Sequence, residues 1–353
     1  MARKIILIII LTLLSVAINL YGQNLEKVMS FKGRWKFSIG DDKEWANKNY
    51  DDSNWEWIRV PSQWEDQGYN GYNGYAWYRT RINIPSKLSE SNLYLGLGRI
   101  DDVDEVYFNG ALIGSSGTFP PNYKTAYNFW RNYFLPSELI QYNRENVIAV
   151  RVYDSQLGGG IVDGNIGIYE SNSALRLDLN LAGYWSFTTG DDMQWKNQKE
   201  TDWSQILVPA SWESQGYENY DGFAWYQKSF KLPQSFDGRK LVLVMGKIDD
   251  IDEVYINGKL VGSTGSMKGI PVPERFNKEN EYTQLRGYYI PDGVLKFGTE
   301  NLISVRVYDG YNVGGIYEGP IGITDQNKYA RFWRDQKRNK NYRERDLWDW
   351  IFN

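Results

Sequence analysis

The 353-residue sequence contains no cysteine and no histidine. Without cysteine it forms no disulfide and has no thiolate nucleophile. Without histidine it lacks the base of Ser-His-Asp catalysis and any imidazole metal ligand. Any catalysis would therefore use carboxylates, tyrosine, lysine or a hard cation. The formal net charge of -4 disfavours a nucleic-acid partner, because phosphate binding requires a basic face.

Aromatic residues, in contrast, are abundant. The sequence has 15 Trp, 27 Tyr and 14 Phe, which together make up 16% of the chain. This is more than an ordinary core requires, and Trp and Tyr are the side chains that stack on flat apolar ligand faces. At ~100 to 200 residues per domain, the length favours about two domains.

The N-terminal segment has the layout of a secretory signal peptide. Arg3 and Lys4 precede an apolar run over residues 5–20, and small or polar residues follow at 21–23. We therefore predict a signal peptide over residues 1–23 and no membrane span after its cleavage; a retained anchor is the alternative. An exported protein without disulfides is typical of bacteria, so we expect a periplasmic or secreted bacterial protein.

Most of the remaining sequence consists of one unit in two copies. Residues 60–79 match residues 208–227 at 12 of 20 positions, and other matched stretches follow in the same order with small changes in spacing. A period near 150 residues is too long for a solenoid and indicates duplication of a whole domain. We predict one domain at 26–170 and a second at 176–325.

The apolar pattern within each copy has a period of two, as at Leu93, Leu95 and Leu97. Asn-Gly pairs between apolar runs, at 109–110 and 257–258, predict two-residue hairpin turns. Long helical periodicity is absent from both copies. The sequence therefore predicts an all-β protein with two tandem jelly-roll β-sandwiches.

The segment 328–353 differs from both copies. It combines many basic residues with apolar and aromatic residues near its end, including Trp348 and Phe352. Two interpretations remain open for this tail. It forms a short amphipathic helix docked on a domain, or it binds a protein partner.

Each copy carries a DDxDE stretch. Strand parity draws Asp102 and Asp104 towards the interior, where a buried carboxylate requires a partner. Arg151, with Arg306 in the second copy, is the expected partner. Structural pairing, binding of ligand hydroxyls and calcium binding remain open for these aspartates, which are Asp102, Asp104, Asp250 and Asp252. No other cofactor is indicated.

An aromatic loop in each copy is the better candidate for ligand binding. Its rings, spaced by three among glycines and asparagines, are suited to stack on sugars, whose hydroxyls need partners such as glutamate and arginine. Filling of the core is the alternative for the tryptophans. The candidate ligand-binding residues are Trp64, Glu65, Tyr69, Tyr72 and Arg131, with Trp212, Glu213, Tyr217, Tyr220 and Arg286 in the second copy.

Glycoside hydrolysis requires two carboxylates held ~5 to 9 Å apart across a sugar cleft. The sequence contains many carboxylates but defines no such pair. The two units and the tail occupy the expected mature chain, which leaves no room for a catalytic barrel of ~250 residues. We therefore expect no catalytic residues, and a glycoside hydrolase if the chain is an enzyme.

Taken together, the motifs V-P-x-x-W-E, Q-G-Y, G-x-A-W-Y, I-D-D-x-D-E-V-Y-x-N-G and E-N-x-I-x-V-R-V-Y-D resemble the galactose-binding-like jelly roll. In particular, they resemble the sugar-binding domain of family 2 glycoside hydrolases (β-galactosidase type) and of sialate O-acetylesterases. The resemblance covers both units and implies a domain that supports a separate catalytic domain. The positions it carries over are Trp64, Glu65, Asp102, Asp104, Asn109, Arg131 and Asp154, with Trp212, Glu213, Asp250, Asp252, Asn257, Arg286 and Asp309 in the second copy.

Three functions follow as hypotheses. The first is an exported, non-catalytic protein that binds an oligo- or polysaccharide, or an accessory module for glycan degradation. The second is a hydrolase of the glycoside hydrolase family 2 or sialate O-acetylesterase type. The third is a scaffold that binds a protein through its tail. A resemblance to an accessory domain does not transfer the activity of the enzyme.

Overall fold

The computed structural model describes residues 25–171, 175–268, 281–311 and 313–338. The predicted signal peptide and the end of the tail lie outside these residues. No helix in the described ranges is long and apolar enough to cross a membrane. The described chain is all-β apart from short 3-10 helices and a helix at 326–338, which confirms the predicted fold class.

The first unit contains eleven strands in two antiparallel sheets. One sheet has the order β1-β11-β5-β10, with β8 also paired to β5, and the other has the order β3-β2-β4-β9-β6-β7. The strands are β1 Leu25–Ser30, β2 Gly33–Ile39, β3 Glu56–Val60, β4 Gly74–Asn83, β5 Leu93–Asp101, β6 Val103–Phe108, β7 Ala111–Ser116, β8 Trp130–Leu135, β9 Glu145–Asp154, β10 Gly160–Asp163 and β11 Gly167–Ser171.

The second unit has the equivalent arrangement. Its sheets have the orders β12-β21-β16-β19 and β14-β13-β15-β20-β17-β18. The strands are β12 Leu179–Asn180, β13 Gly183–Thr189, β14 Ser204–Val208, β15 Gly222–Lys231, β16 Leu241–Asp249, β17 Ile251–Ile256, β18 Lys259–Thr264, β19 Arg286–Tyr289, β20 Glu300–Asp309 and β21 Gly315–Asp325.

Short 3-10 helices connect many of these strands. They span Lys43–Ala46, Glu65–Gln67, Ser86–Leu88, Ser137–Leu139, Met193–Lys196, Glu213–Gln215, Gln234–Phe236 and Glu281–Thr283. The predicted hairpin turns are confirmed, since Asn109 and Gly110, which join β6 to β7, have φ of 52° and 88°. Both values lie in the left-handed region that a two-residue hairpin turn requires.

The hydrophobic core of each unit lies between its two sheets, as the alternation along the strands predicts. Leu93, Leu95 and Leu97 of β5 point inwards with the aliphatic residues of β9. The second unit buries the same kind of set from β16 and β20. Each unit is therefore a β-sandwich with its own core.

The outward face of β5 is covered by the second unit. Tyr94 and Phe134 pack against Leu207, and Ser115 Oγ donates a hydrogen bond of 3.0 Å to the carbonyl of Ser214. The equivalent face of the second unit is covered by the helix at 326–338. Its Tyr329 packs on Val242 and Val244. The described part of the tail is thus a docked helix.

Candidate functional site

Three aspartates meet at one end of the first unit. Asp101 is the last residue of β5, and the Asp101–Asp102 step, a cis peptide bond, takes the chain to β6 in the other sheet. Asp154 is the last residue of β9, which pairs with β6. Carboxylate oxygens of the three residues lie within 4.8 Å of one another. We call this set the aspartate cluster; its equivalent in the second unit is Asp249, Asp250 and Asp309.

The carboxyl groups of the cluster differ in their pKa. Burial, followed by the neighbouring Asp102, raises the pKa of Asp101 to about 7, and burial raises that of Asp154 to about 7. Burial alone would also raise the pKa of Asp102. Hydrogen bonds from Thr125, Tyr123 and the Ser155 amide instead lower it to about 2.

Two carboxyl groups of the second cluster also have a raised pKa. Burial and Asp250 raise the pKa of Asp249 to about 8, and burial raises that of Asp309 to about 7. Proximity to Asp102 in the first cluster and to Asp250 in the second therefore opposes ionisation of the neighbouring carboxyl groups.

One carboxylate oxygen at the end of β9 and one at the end of β20 are buried without a hydrogen-bond partner among the described residues. They are Asp154 Oδ2 and Asp309 Oδ2, on side chains that are 0% exposed. A buried polar atom without a partner is costly in free energy. Glu65 Oε1 is a further buried oxygen without a partner.

Asp104 is buried, as predicted, but its predicted partner is wrong. Arg131 Nε donates to Asp104 Oδ1 at 2.7 Å, and Tyr133 donates to the other oxygen. Arg151 lies opposite Glu105 in the pairing of β6 with β9 and binds Glu105 and Asp41. Because adjacent residues of a strand point to opposite faces, the side chain of Arg151 cannot share a face with that of Asp104.

The same correction applies to the second unit, where Arg286 Nε donates to Asp252 at 2.9 Å and Arg306 binds Asp191 and Glu253. Arg131 and Arg286 are each 1% exposed. Both arginines were predicted to lie on a ligand-binding loop surface. The structure instead places each of them in a buried ion pair. Asp104 and Asp252 are each paired with an arginine and belong to neither group of aspartates that could hold a metal ion in the described residues.

The two loop tryptophans lie in the core. Trp64 and Trp212 are 0% exposed, and Trp64 Nε1 donates to the Tyr72 carbonyl at 3.2 Å. Their burial corrects the expectation of direct ligand contact. Glu65 and Glu213 anchor the β9–β10 loop and the β20–β21 loop, because they accept hydrogen bonds from the amides of Gly159 and Gly314.

The loop tyrosines are half-buried and packed on the core. The ring of Tyr69 makes an edge contact with Phe37 at 4.8 Å between centroids, and the hydroxyl of Tyr72 donates to the Tyr75 carbonyl. In the second unit, Tyr217 and Tyr220 make the equivalent contacts. These rings are not presented as open stacking platforms, so the expected exposure of this loop is corrected.

A different aromatic group is exposed beside the aspartate cluster of the first unit. Tyr127, Phe129 and Trp130 are 51%, 65% and 58% exposed, and we call them the aromatic rim. The guanidinium of Arg99 lies 5.4 Å from the centroid of Trp130. The rim is not among the candidate residues predicted from the sequence, although the ring-rich run before Arg131 is a signal for it.

Two of the three rim rings have no aromatic counterpart in the second copy, whereas Tyr127 aligns with Tyr282, which is 38% exposed. Alignment on Arg131 and Arg286 places Gln284 opposite Phe129 and Leu285 opposite Trp130. Asp101 was not among the predicted site residues. Asp154 was named only as a position carried over from the family resemblance. They lie 53 residues apart, and only the ends of β5 and β9 bring them together.

Comparison with known proteins supports the resemblance of the domain. Residues 40–157 match the family model described as the beta-galactosidase second all-beta domain. A putative beta-glucuronidase of Formosa agariphila is 26% identical over 156 residues, which are 41% of this chain and 14% of that protein. A beta-glucuronidase of Paenibacillus borealis is 25% identical over 179 residues, 48% of this chain and 27% of that protein.

Solved structures include a beta-glucuronidase of Bacteroides uniformis, which is 15% identical and covers 83% of this chain and 28% of that chain, with a TM-score of 0.35. A b-glucuronidase of Ruminococcus gnavus is 14% identical and covers 78% and 40% of the two chains, with a TM-score of 0.32. The chain thus spans only a minor part of these proteins. The predicted resemblance to β-sandwich domains of family 2 glycoside hydrolases is confirmed.

Proposed function

We propose that the protein is an exported, non-catalytic carbohydrate-binding module that assists glycan degradation, with its main sugar contact on the first unit. The observation that carries the proposal is the aromatic rim of Tyr127, Phe129 and Trp130 beside the aspartate cluster. Sugars present an apolar C–H face to aromatic rings and hydroxyl groups to polar side chains. The rim and its surroundings offer both.

The buried side chain of Arg131 holds the loop that carries the rim. Its guanidinium donates hydrogen bonds to the carbonyls of Ala126 and Phe129, and Thr125 donates to Asp102 at 2.6 Å. These buried contacts fix the backbone while the aromatic rings remain exposed. Such pre-organisation lowers the entropy cost of binding.

Polar groups stand beside the rim. Arg99, which stacks near Trp130, lies 3.5 Å from the carboxylate of Asp163, and both side chains are about half exposed, at 45% and 61%. A guanidinium and a carboxylate together can donate to and accept from neighbouring sugar hydroxyls. This pairing of ring and polar groups supports an oligo- or polysaccharide as ligand.

The relatives support the biological setting. They are named beta-glucuronidases, and this chain spans 14% to 27% of their lengths. We therefore assign the chain an accessory role in glycan breakdown, and not their activity. Export to the periplasm or the exterior rests on the predicted signal peptide.

A glycan array probed with the full chain and with the Trp130→Ala variant tests the proposal. We expect binding to a polymeric glycan that the substitution weakens about tenfold, the equivalent of ~1.4 kcal/mol. The matched control is Trp57→Ala, since Trp57 is a similarly exposed tryptophan on β3. Its binding should equal that of the unsubstituted chain.

Two outcomes contradict the proposal. Absence of binding to every glycan at high protein concentration would exclude the carbohydrate-binding role. Turnover of nitrophenyl glycosides or acetylated sugars that is lost on substitution of Asp101 or Asp154 would establish the hydrolase alternative instead. Circular dichroism of each variant verifies that loss of binding is not loss of folding.

A further inference from the structure

We propose that each unit binds one calcium ion in its aspartate cluster. The ligands in the first unit are Asp101, Asp102 and Asp154, and those in the second are Asp249, Asp250 and Asp309. The proposal differs from the expectation that calcium binds along the DDxDE stretch. Asp104 and Asp252 are taken up by arginines, and the third ligand comes from the end of the neighbouring strand.

The spacing of the oxygens fits one ion. Calcium binds oxygen at about 2.3 to 2.6 Å, so two ligands on opposite sides of one ion lie about 5 Å apart. The carboxylate oxygens of each cluster lie within 4.8 Å of one another. Small side-chain movements would therefore be enough to place all three carboxylates around a single cation.

No basic side chain among the described residues forms a direct ion pair with a carboxylate of the cluster. The nearby Arg131 donates to the carboxylate of Asp104 and to the backbone carbonyl of Asp102. The side chain of Asp102 accepts from the hydroxyl of Thr125 and from Ser155, which are neutral groups. Among the ion pairs of the described ranges, none involves the side chain of a cluster aspartate. Buried carboxylates without a cation are unfavourable.

A second observation points to a ligand in the same place. Among the described residues, Asp154 Oδ2 and Asp309 Oδ2 have no hydrogen-bond partner, and both residues are 0% exposed. The two copies differ at many positions but repeat this orphan oxygen. A bound cation would provide the missing partner in both.

Calcium fits better than magnesium. All side-chain ligands are carboxylates, which can bind calcium through one or two oxygens in irregular geometry. Magnesium requires a near-ideal octahedron and usually retains several waters, which a cluster buried as deeply as Asp102 and Asp154 cannot easily accommodate. A proton shared between the carboxylates is the competing explanation and is an outcome of the test.

Isothermal titration of the chelator-treated full chain with calcium chloride at pH 7.5 tests the proposal. We expect two ions per chain, a higher melting temperature in calcium than in EGTA, and a smaller rise in magnesium. Terbium provides an independent readout, because Trp64 lies beside Gly159, which also adjoins Asp154. Excitation of tryptophan should therefore sensitise terbium emission, and calcium should suppress it.

Matched variants locate the ions. Asp154→Asn should remove one ion, Asp309→Asn the other, and the double variant both. Asp163→Asn, at an exposed aspartate of the same unit, should still bind two. If the unsubstituted chain shows no heat, no change in melting temperature and no terbium emission, the proposal is wrong. Asp154→Asn that then stabilises the chain without calcium would establish the shared proton. These readouts involve no sugar, so they fail independently of the proposed function.

Discussion

The two units share several buried features and differ at parts of their surfaces. Both bury the same arginine–aspartate pair and the same loop tryptophan, and both carry the same aspartate cluster. The first unit alone carries the exposed Phe129 and Trp130, whose counterparts by alignment are Gln284 and Leu285. Because the shared residues maintain a common fold, the differing ones are the better guide to what each unit contacts.

A second difference lies inside. Arg79 in the first unit is fully buried, forms an ion pair with Asp52 and donates to the carbonyls of Trp45 and Asn47. At the equivalent place the second unit has Gln227, which donates to the carbonyls of Trp195 and Gln198. The neutral amide of Gln227 thus satisfies the same kind of backbone carbonyls that Arg79 satisfies in the first unit. At this position, the stability of the first unit therefore depends on the ionised carboxylate of Asp52.

The largest expected effect tests what the units share. Asp104→Ala and Asp252→Ala should each destabilise their own unit by about 3 to 5 kcal/mol, because each leaves a buried arginine unpaired. Urea unfolding followed by tryptophan fluorescence measures the loss. Asp163→Ala, at an exposed pair, should cost less than about 1 kcal/mol. A large loss in only one unit would contradict their equivalence.

The next test concerns how each unit covers its outer sheet. Tyr329→Ala removes a buried ring from the face of Val242 and should cost about 3 kcal/mol in the second unit. Trp333→Ala, on the same helix but 44% exposed, should cost less than about 1 kcal/mol. Thermal unfolding distinguishes them, and equal effects would show that the helix is not anchored by Tyr329.

A surface exchange tests the functional difference. Replacing Asn128, Phe129 and Trp130 with the threonine, glutamine and leucine of the second copy removes two exposed rings. Ring contacts are worth about 0.5 to 1.5 kcal/mol each, so glycan affinity should fall about tenfold or more. The free energy of unfolding should change little, since both rings are exposed. Unchanged affinity in a glycan titration would remove the rim from the sugar site.

The smallest effect is a dependence on acid. Burial alone would raise the pKa of Asp52, but hydrogen bonds from Arg81 and Arg79 outweigh burial and hold that pKa below its usual value. The stabilisation is complete above the unfolded pKa of about 3.9 and is lost as the pH falls through the lower folded pKa. Low pH should therefore destabilise the first unit around Asp52.

The matched variant for this prediction is the double substitution Arg79→Gln, Asp52→Asn, which replaces the buried ion pair with two neutral amides and gives position 79 the glutamine of the second unit. Melting temperatures measured from pH 7 to pH 2.5 should fall less steeply for the variant, by a few degrees. An identical slope for the two chains would contradict the role of Asp52.

The strands and turns of this fold were predictable because local sequence patterns indicate them. Alternation at Leu93, Leu95 and Leu97 predicted a strand with one face in the core, and Asn109-Gly110 predicted the hairpin turn. Both signals involve residues that are close in sequence, so the amino-acid sequence alone is sufficient to recognise them.

The site was less predictable because it depends on contacts between distant strands. The partner of Asp104 is Arg131 from the opposite sheet, and sequence distance gave no reason to prefer it over Arg151. Asp101 and Asp154 come close together only because the ends of β5 and β9 meet. Exposure of Trp130 follows from a loop path fixed by buried contacts, and composition alone predicted only that aromatic residues exceeded the needs of a core.

The helix at 326–338 limits how such units can be joined. In the first unit, the sheet face around Tyr94 and Phe134 receives the next unit, whereas in the second the equivalent face is occupied by Tyr329. A third unit could attach by the same geometry only after the helix had left. Removal of the helix would therefore expose Val242 and Val244, on the same kind of sheet face that joins the two units.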